Sequence, residues 1–467
     1  MGADDRLVLN GIDAGTGAYL APSVGIADLA GYLRDGAPPV GSQALRRRRH
    51  DDEAHLGVAW GFDPDDLSSV GWGVVVAPGT DRDVLDAVEP LLRLREEQAG
   101  DRFRRLEARE GESKDDFLAR HGAGPGVVDP RKVPYFLLLL GSPEQLSFEL
   151  QYQLGVAYAV GRLDLPDAAA YASYVAAVLR AESEPAADAP ARHLHLFATR
   201  HPADTPTGLS SSRLVEPLVA DVGERALAWQ VTADVGAGAT KERLLDLVTS
   251  PTGPDVLFTA GHGLGGETAT SQHVAGALLC QDWPGPLGPA GPISPDHFVA
   301  AADVGTGVSA RPRVVFSFAC FGAGTPRVSD YPGIGSAPPG RSFTAPLAQA
   351  LLTAGALAFV GHVDRAWTCS FLWKGLSAQV MPFSSTLLAL MDGARLGLAM
   401  ESISSRYAEV ATELTTRLAE SRRLGTVIED VDLVGLWTAT HDARGYVVLG
   451  DPAVRVAPRG AADLSRT

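Results

Sequence analysis

"RVVFSFACFG", residues 313–322, and "DVLFTAGHG", residues 255–263, decide how this chain is read. Each is an apolar run of strand length that ends in a chemically able side chain and then glycine. Unbroken apolar runs of this kind mark strands buried on both faces of a sheet. Open α/β sheets place ligands outside the carboxyl ends of their strands. If the two strands are neighbours, Cys320 and His262 meet across one sheet edge. A thiol needs a base to act as thiolate, and an imidazole can also protonate a leaving amine. Gly263, having no side chain, lets its backbone N–H approach a substrate carbonyl, and with the N–H of Cys320 it would form an oxyanion hole. Taken singly, the cysteine reads as a small hydrophobe and the histidine as a satisfied strand-end residue. Their matching positions favour a nucleophile–base pair.

The same texture extends outward. Short β-branched or aromatic runs recur at 193–200, 227–234, 355–363 and 445–452, and helical patterns lie between them at 213–224 and 241–250. In "RSFTAPLAQALLTAG", Phe343, Leu347 and Leu351 share a helical face and Gly355 stands at the C-cap position. Residues 385–423 read as helical. Six strands in this half suit one doubly wound, mostly parallel sheet. Ahead of it, strands at 70–79 and 133–143 and an Ala-rich helix at 168–182 form a smaller α/β unit. The charged stretch from 94 to 132 reads as solvated helix and loop. An Ala/Pro/Glu-rich linker, "ESEPAADAPAR" (182–192), separates the halves. The expected organisation is an extension over 1–55 with little structure of its own, an N-terminal α/β subdomain over 56–190 and a catalytic subdomain over 191–467.

The chain has 467 residues, 45% of them hydrophobic, and a formal net charge of −16. That balance argues against a protein that tracks nucleic-acid phosphates. Its three cysteines, Cys280, Cys320 and Cys369, fit neither a disulfide framework nor a zinc site. Cys280 and Cys369 read as structural thiols. The N-terminus, "MGADDRLVLNGIDAGTG", lacks the basic and apolar regions of a signal peptide. The longest apolar run, "YFLLLLG" (135–141), is too short to span a bilayer. The expectation is a cytoplasmic protein with neither membrane nor nucleic-acid partner, no cofactor and no metal. Oligomeric state is not legible. "GHGLGG" lacks the lysine of a phosphate loop, and His193 and His195 read as a solvated strand face rather than a metal site.

"LFTAGHG" followed by "FSFACFGAG" resembles the His-Gly and Ala-Cys signatures of the caspase-like cysteine peptidases, and within them the gingipain family. "PYFLLLLGSP" with the "GRL" element at 161–163, "GALAFVGHVDRAW" (355–367) and "GYVVLGDP" (445–452) are similar to further family segments, in family order over roughly residues 60–455. The resemblance implies a caspase-like fold, with a smaller α/β subdomain packed on a six-stranded catalytic one. It also implies a cysteine endopeptidase acting on protein or peptide substrates, with Cys320 as nucleophile, His262 as acid/base and the amides of Gly263 and Cys320 as oxyanion hole. In the family's arginine-cleaving members an acid after the first catalytic strand lines the specificity pocket. Here that loop is "ATRHPADTPTG" and its acid is Asp204, which implies cleavage after Arg or Lys, with Trp367 as the pocket's aromatic wall. His362 and Asp364 are candidates to orient His262. The run Arg46–Arg49 would then be a self-processing site between Arg46 and Asp51. Two rival readings are a catalytically silent caspase-like scaffold and a cysteine amidase or acyltransferase acting on small molecules.

Overall fold

In the computed structural model, the residues described are 6–7, 9–19, 24–25, 57–183, 192–226, 228–265, 271–288, 291–305, 311–331, 340–373 and 376–456. The run Arg46–Arg49 and the 190/191 subdomain boundary lie outside them.

Ten strands form one sheet. In chain order they are β1 (Trp72–Val76), β2 (Phe103–Glu107), β3 (Phe136–Leu140), β4 (Ala159–Leu163), β5 (His193–Ala198), β6 (Gln230–Val235), β7 (Val256–Ala260), β8 (Val314–Phe318), β9 (Ala358–His362) and β10 (Tyr446–Gly450). Their order across the sheet is β2-β1-β3-β4-β10-β9-β8-β7-β5-β6. The six strands expected in the second half lie side by side, but they do not form a separate six-stranded sheet. β10 pairs parallel with β4 of the first half and antiparallel with β9. Every other neighbouring pair is parallel. The sheet is therefore two parallel blocks of opposite direction, joined at β9–β10. The carboxyl ends of β5, β7 and β8 share one edge.

The residues explain the layering. All five positions of β3, β7 and β8 are buried, so both faces of the central strands are covered. Helices α1 (Arg82–Ala99) and α2 (Ala168–Ser183) pack on each other in the first half. In the second half the stretch expected to be one helix over 385–423 breaks at Gly393 (φ +83°) into α3 (Met381–Met391), a short turn of helix and α4 (Glu401–Leu424). α5 (Asp430–Arg444) then packs along α4. None of the described helices is long and apolar enough to cross a membrane. The charged stretch after residue 94 also holds a strand, since "FRRLE" forms the edge strand β2. Charge on an edge strand discourages pairing with another chain.

Two buried arginines account for motifs in the first half and at the C-terminal end. Arg162 of the "GRL" element donates to Gln151 Oε1 (2.9 Å), the Gly141 carbonyl (2.9 Å) and the Leu146 and Ser147 carbonyls, tying β4 to the turn after β3. Asp451, after β10, accepts from Arg95 Nε of α1 (2.7 Å) and Trp72 Nε1 of β1 (3.0 Å). Both members of the Arg95–Asp451 pair are fully buried. Asp451→Ala strips a buried guanidinium of its principal charge partner. It is expected to cost about 3–5 kcal/mol in urea denaturation.

A second, five-stranded sheet stands at the carboxyl edge of β7 and β8. Its order is 298–299, 278–279, 263–265, 9–13, 366–367. The N-terminal segment, expected to have little structure of its own, thus contributes the strand Leu9–Asp13. Its Ile12 is fully buried in a separate apolar cluster with Leu264, Leu279, Trp283 and Phe298.

Candidate active site

β7 and β8 are parallel neighbours in register, with Ala260 opposite Phe318. His262 and Cys320 each lie two residues beyond that last rung. On the other flank of β7, β5 pairs with Ala198 opposite Ala260, and the loop after it carries Asp204. Three adjacent strands therefore deliver a carboxylate, an imidazole and a thiol to one edge.

Gly263 is a steric necessity. A Cβ at this position would stand 1.8 Å from the carbonyl oxygen of Cys320 and 3.1 Å from its nitrogen. The backbone beside His262 thus lies directly on the backbone of Cys320. Gly263→Ala must push the two strand ends apart by more than an ångström. A displacement of that size costs about 10²-fold in turnover, so kcat/KM is expected to fall by at least that factor with the far-UV circular dichroism unchanged.

The imidazole is held at one nitrogen. His262 Nε2 lies 2.8 Å from Asp204 Oδ2, and both side chains are fully buried. An ionised carboxylate takes the Nε2–H, which leaves Nδ1 of the neutral ring as a lone-pair acceptor. Nδ1 is buried and has no hydrogen-bond partner among the described residues. Asp204 is fixed in turn: Thr207 Oγ1 donates to Oδ2 (2.6 Å), and Tyr19 Oη donates to Oδ1 (2.5 Å). Burial pushes the Asp204 carboxyl up, but the charge that the His262 imidazole carries when protonated and the hydrogen bonds from His262, Thr207 and Tyr19 outweigh it and bring it to about 2. The expectation for this residue is corrected accordingly. Both of its oxygens are engaged, one of them by the imidazole, so it does not face an open pocket as a partner for a basic side chain.

Cys320 is fully buried. Its Sγ accepts from the Ala366 amide (3.3 Å). Burial pushes the thiol up to about 12, against the pull of that amide and of Arg365. Among the described residues, three that are not glycine take positive φ: Ala203 (+57°), Phe321 (+57°) and Asp364 (+68°). Ala203 precedes Asp204, Phe321 follows Cys320, and the Phe321 amide donates to the Asp364 carbonyl (2.7 Å). Left-handed backbone at non-glycine residues persists only where surrounding structure enforces it, and it gathers at functional sites.

Trp367 is buried with its ring tilted on Tyr331, centroids 4.9 Å apart, and its backbone N–H donates to Asp442 Oδ1 (2.8 Å). His362 and Asp364 do not reach His262. His362 Nε2 bonds the Asp442 carbonyl (2.8 Å), and Asp364 Oδ2 accepts from Ser329 Oγ (2.8 Å). The carboxylate bonded to the His262 ring is that of Asp204 instead. His193 and His195 share Thr232 Oγ1 on the adjacent strand (2.6 and 2.7 Å), and His195 is buried rather than solvated. Among the described residues no group of three or more His, Cys, Asp or Glu side chains is placed to hold a metal. Sequence reasoning missed Tyr19 altogether.

No protein-family model matches the chain, and no curated protein matches its sequence. Among solved structures it is similar to the complex of the pro- and mature domains of Porphyromonas gingivalis RgpB, at 13% identity and a TM-score of 0.48, over 83% of this chain and 80% of that one. It is similar also to the Arg-specific cysteine proteinase gingipain R, at 13% identity and a TM-score of 0.44, over 83% and 78%. A third similar structure is Saccharomyces cerevisiae separase with securin, at 9% identity and a TM-score of 0.33, over 68% of this chain and 16% of that one.

Proposed function

We propose that this chain is a caspase-like cysteine endopeptidase with Cys320 as nucleophile and His262 as acid/base. The observation that carries the reading is the state of His262, anchored through Nε2 to Asp204 and left with an unbonded Nδ1 beside the strand end that bears the thiol. In the reaction, the Cys320 proton passes to Nδ1 and the thiolate attacks the scissile carbonyl carbon. The amides of Gly263 and Cys320 hold the resulting oxyanion. The Nδ1 proton then goes to the leaving amine as the C–N bond breaks, giving a thioester. Water, deprotonated by the same nitrogen, hydrolyses that thioester and restores the thiol. Asp204 keeps the ring in the required tautomer and balances the imidazolium. Trp367, close to Cys320 through its neighbour Ala366, serves as wall to the substrate side chain. Preference for Arg or Lys before the scissile bond loses Asp204 as its carboxylate, so substrate selection is read from an unbiased peptide library. Hydrolysis of library members by the wild-type protein and not by Cys320→Ala supports the reading. Measurable hydrolysis by Cys320→Ala at the rate of the wild-type protein ends it.

A further inference from the structure

The strand Leu9–Asp13 lies between Gly263–Gly265, to which it is parallel, and Ala366–Trp367, to which it is antiparallel. Gly11 is the ladder partner of Gly263, the residue whose backbone rests on Cys320. Asn10 is the partner of Ala366, whose amide touches the Cys320 sulfur. The Asn10–Gly11 stretch therefore crosses the sheet at the rungs that frame the thiol. Beyond it the chain turns tightly. Asp13 Oδ1 accepts from the Gly15 and Thr16 amides (3.0 and 2.8 Å), and Gly17 takes φ +70° where a Cβ would meet the Gly291 carbonyl at 2.5 Å. The turn returns Tyr19 opposite Ile12 and sets its hydroxyl on Asp204 and its ring edge-on to His262, centroids 5.7 Å apart. One short segment thus engages the neighbourhood of all three residues of the relay.

We infer that residues 9–19 are an intramolecular pseudosubstrate, and that the slot they fill is the groove that takes an extended peptide as an added strand running antiparallel to Ala366–Trp367. This rests on the peptidase reading above for what the groove serves. A slot formed by two strand edges binds main chain by ladder hydrogen bonds, which suits peptides of varied sequence. It must be vacated before a substrate can enter, so the chain as it stands is the restrained form. The fully buried, protonated thiol is consistent with that state.

The test uses the full chain. Gly11→Pro removes a ladder N–H and breaks the strand, while Tyr19→Phe removes the hydroxyl held by Asp204. The readouts are the rate of Cys320 alkylation by limiting iodoacetamide, followed by peptide mass spectrometry, and hydrolysis of the peptide library. Loss of one or two such hydrogen bonds corresponds to about tenfold, so alkylation is expected to accelerate by about that factor in each variant. A synthetic peptide of residues 6–25 added in trans is expected to restore protection. Wild-type alkylation rates in both variants overturn the inference. If Gly11→Pro loses its near-UV circular dichroism, Tyr19→Phe decides alone: faster alkylation supports the inference and an unchanged rate overturns it. Wild-type protein that hydrolyses peptides as fast as both variants leaves the peptidase standing and removes the restraint. Accelerated and peptide-protected alkylation without hydrolysis of any library member keeps the occupied slot and removes the peptidase.

Discussion

Cys320→Ala is expected to leave no measurable peptide hydrolysis, and His262→Ala to come close to the same floor, each with the fold intact. The reason lies in the state of the thiol. Burial pushes the Cys320 thiol well above its usual value, so without a base very little of it is thiolate near neutral pH. On the proposed mechanism the imidazole removes that barrier by accepting the proton as attack occurs, and it has nothing to act on once the sulfur is gone. Residues that act as one unit are strongly non-additive, with single losses on the order of 10⁴–10⁶-fold that barely deepen when combined. The double variant should therefore match the poorer single variant within error. A Cys320→Ala protein that retains turnover in a contaminant-free preparation excludes the cysteine as nucleophile. A double variant markedly worse than either single one means that the two side chains work separately.

The placement of the thiol and the imidazole at neighbouring strand ends was legible because its signal is local, an apolar strand followed at once by a polar residue and a glycine. The buried strands β3, β7, β8 and β9 were legible for the same reason. Sheet order is not local. That β10, at residues 446–450, joins the first half of the chain to the second, and so reverses the sheet's direction, depends on contacts hundreds of residues apart, such as Asp451 with Arg95 and Trp72. The strand "FRRLE" was hidden because edge strands carry charge in place of an apolar pattern. The strand "LNGID" at 9–13 was hidden because Asn and Gly suit turns. Its ladder partners, Gly263–Gly265 and Ala366–Trp367, supply what its own propensity lacks.

Asp204 is the residue whose position was legible and whose hydrogen-bond partners were not. As a pocket acid it would act through the substrate side chain, so Asp204→Asn would raise KM for basic peptides and leave others untouched. As the partner of His262 Nε2 it acts on the base itself, and the amide can present its NH₂ to that nitrogen and trap the wrong tautomer. An aspartate-to-asparagine change in such a relay lowers kcat by about 10⁴-fold. The loss is therefore expected to fall on kcat, equally for basic and neutral substrates, with KM little changed. The carboxyl also carries a pH signature. It is lowered from 3.8 to about 2 in the folded chain, so its contribution to stability is complete above the unfolded value and disappears as pH falls through the folded one. Between roughly pH 4 and pH 2 the wild-type melting temperature should therefore fall more steeply than that of Asp204→Asn, which has no proton to take up there. Parallel acid profiles of the two proteins, or a kcat loss confined to Arg and Lys substrates, would return Asp204 to the pocket and leave His262 without its orienting partner.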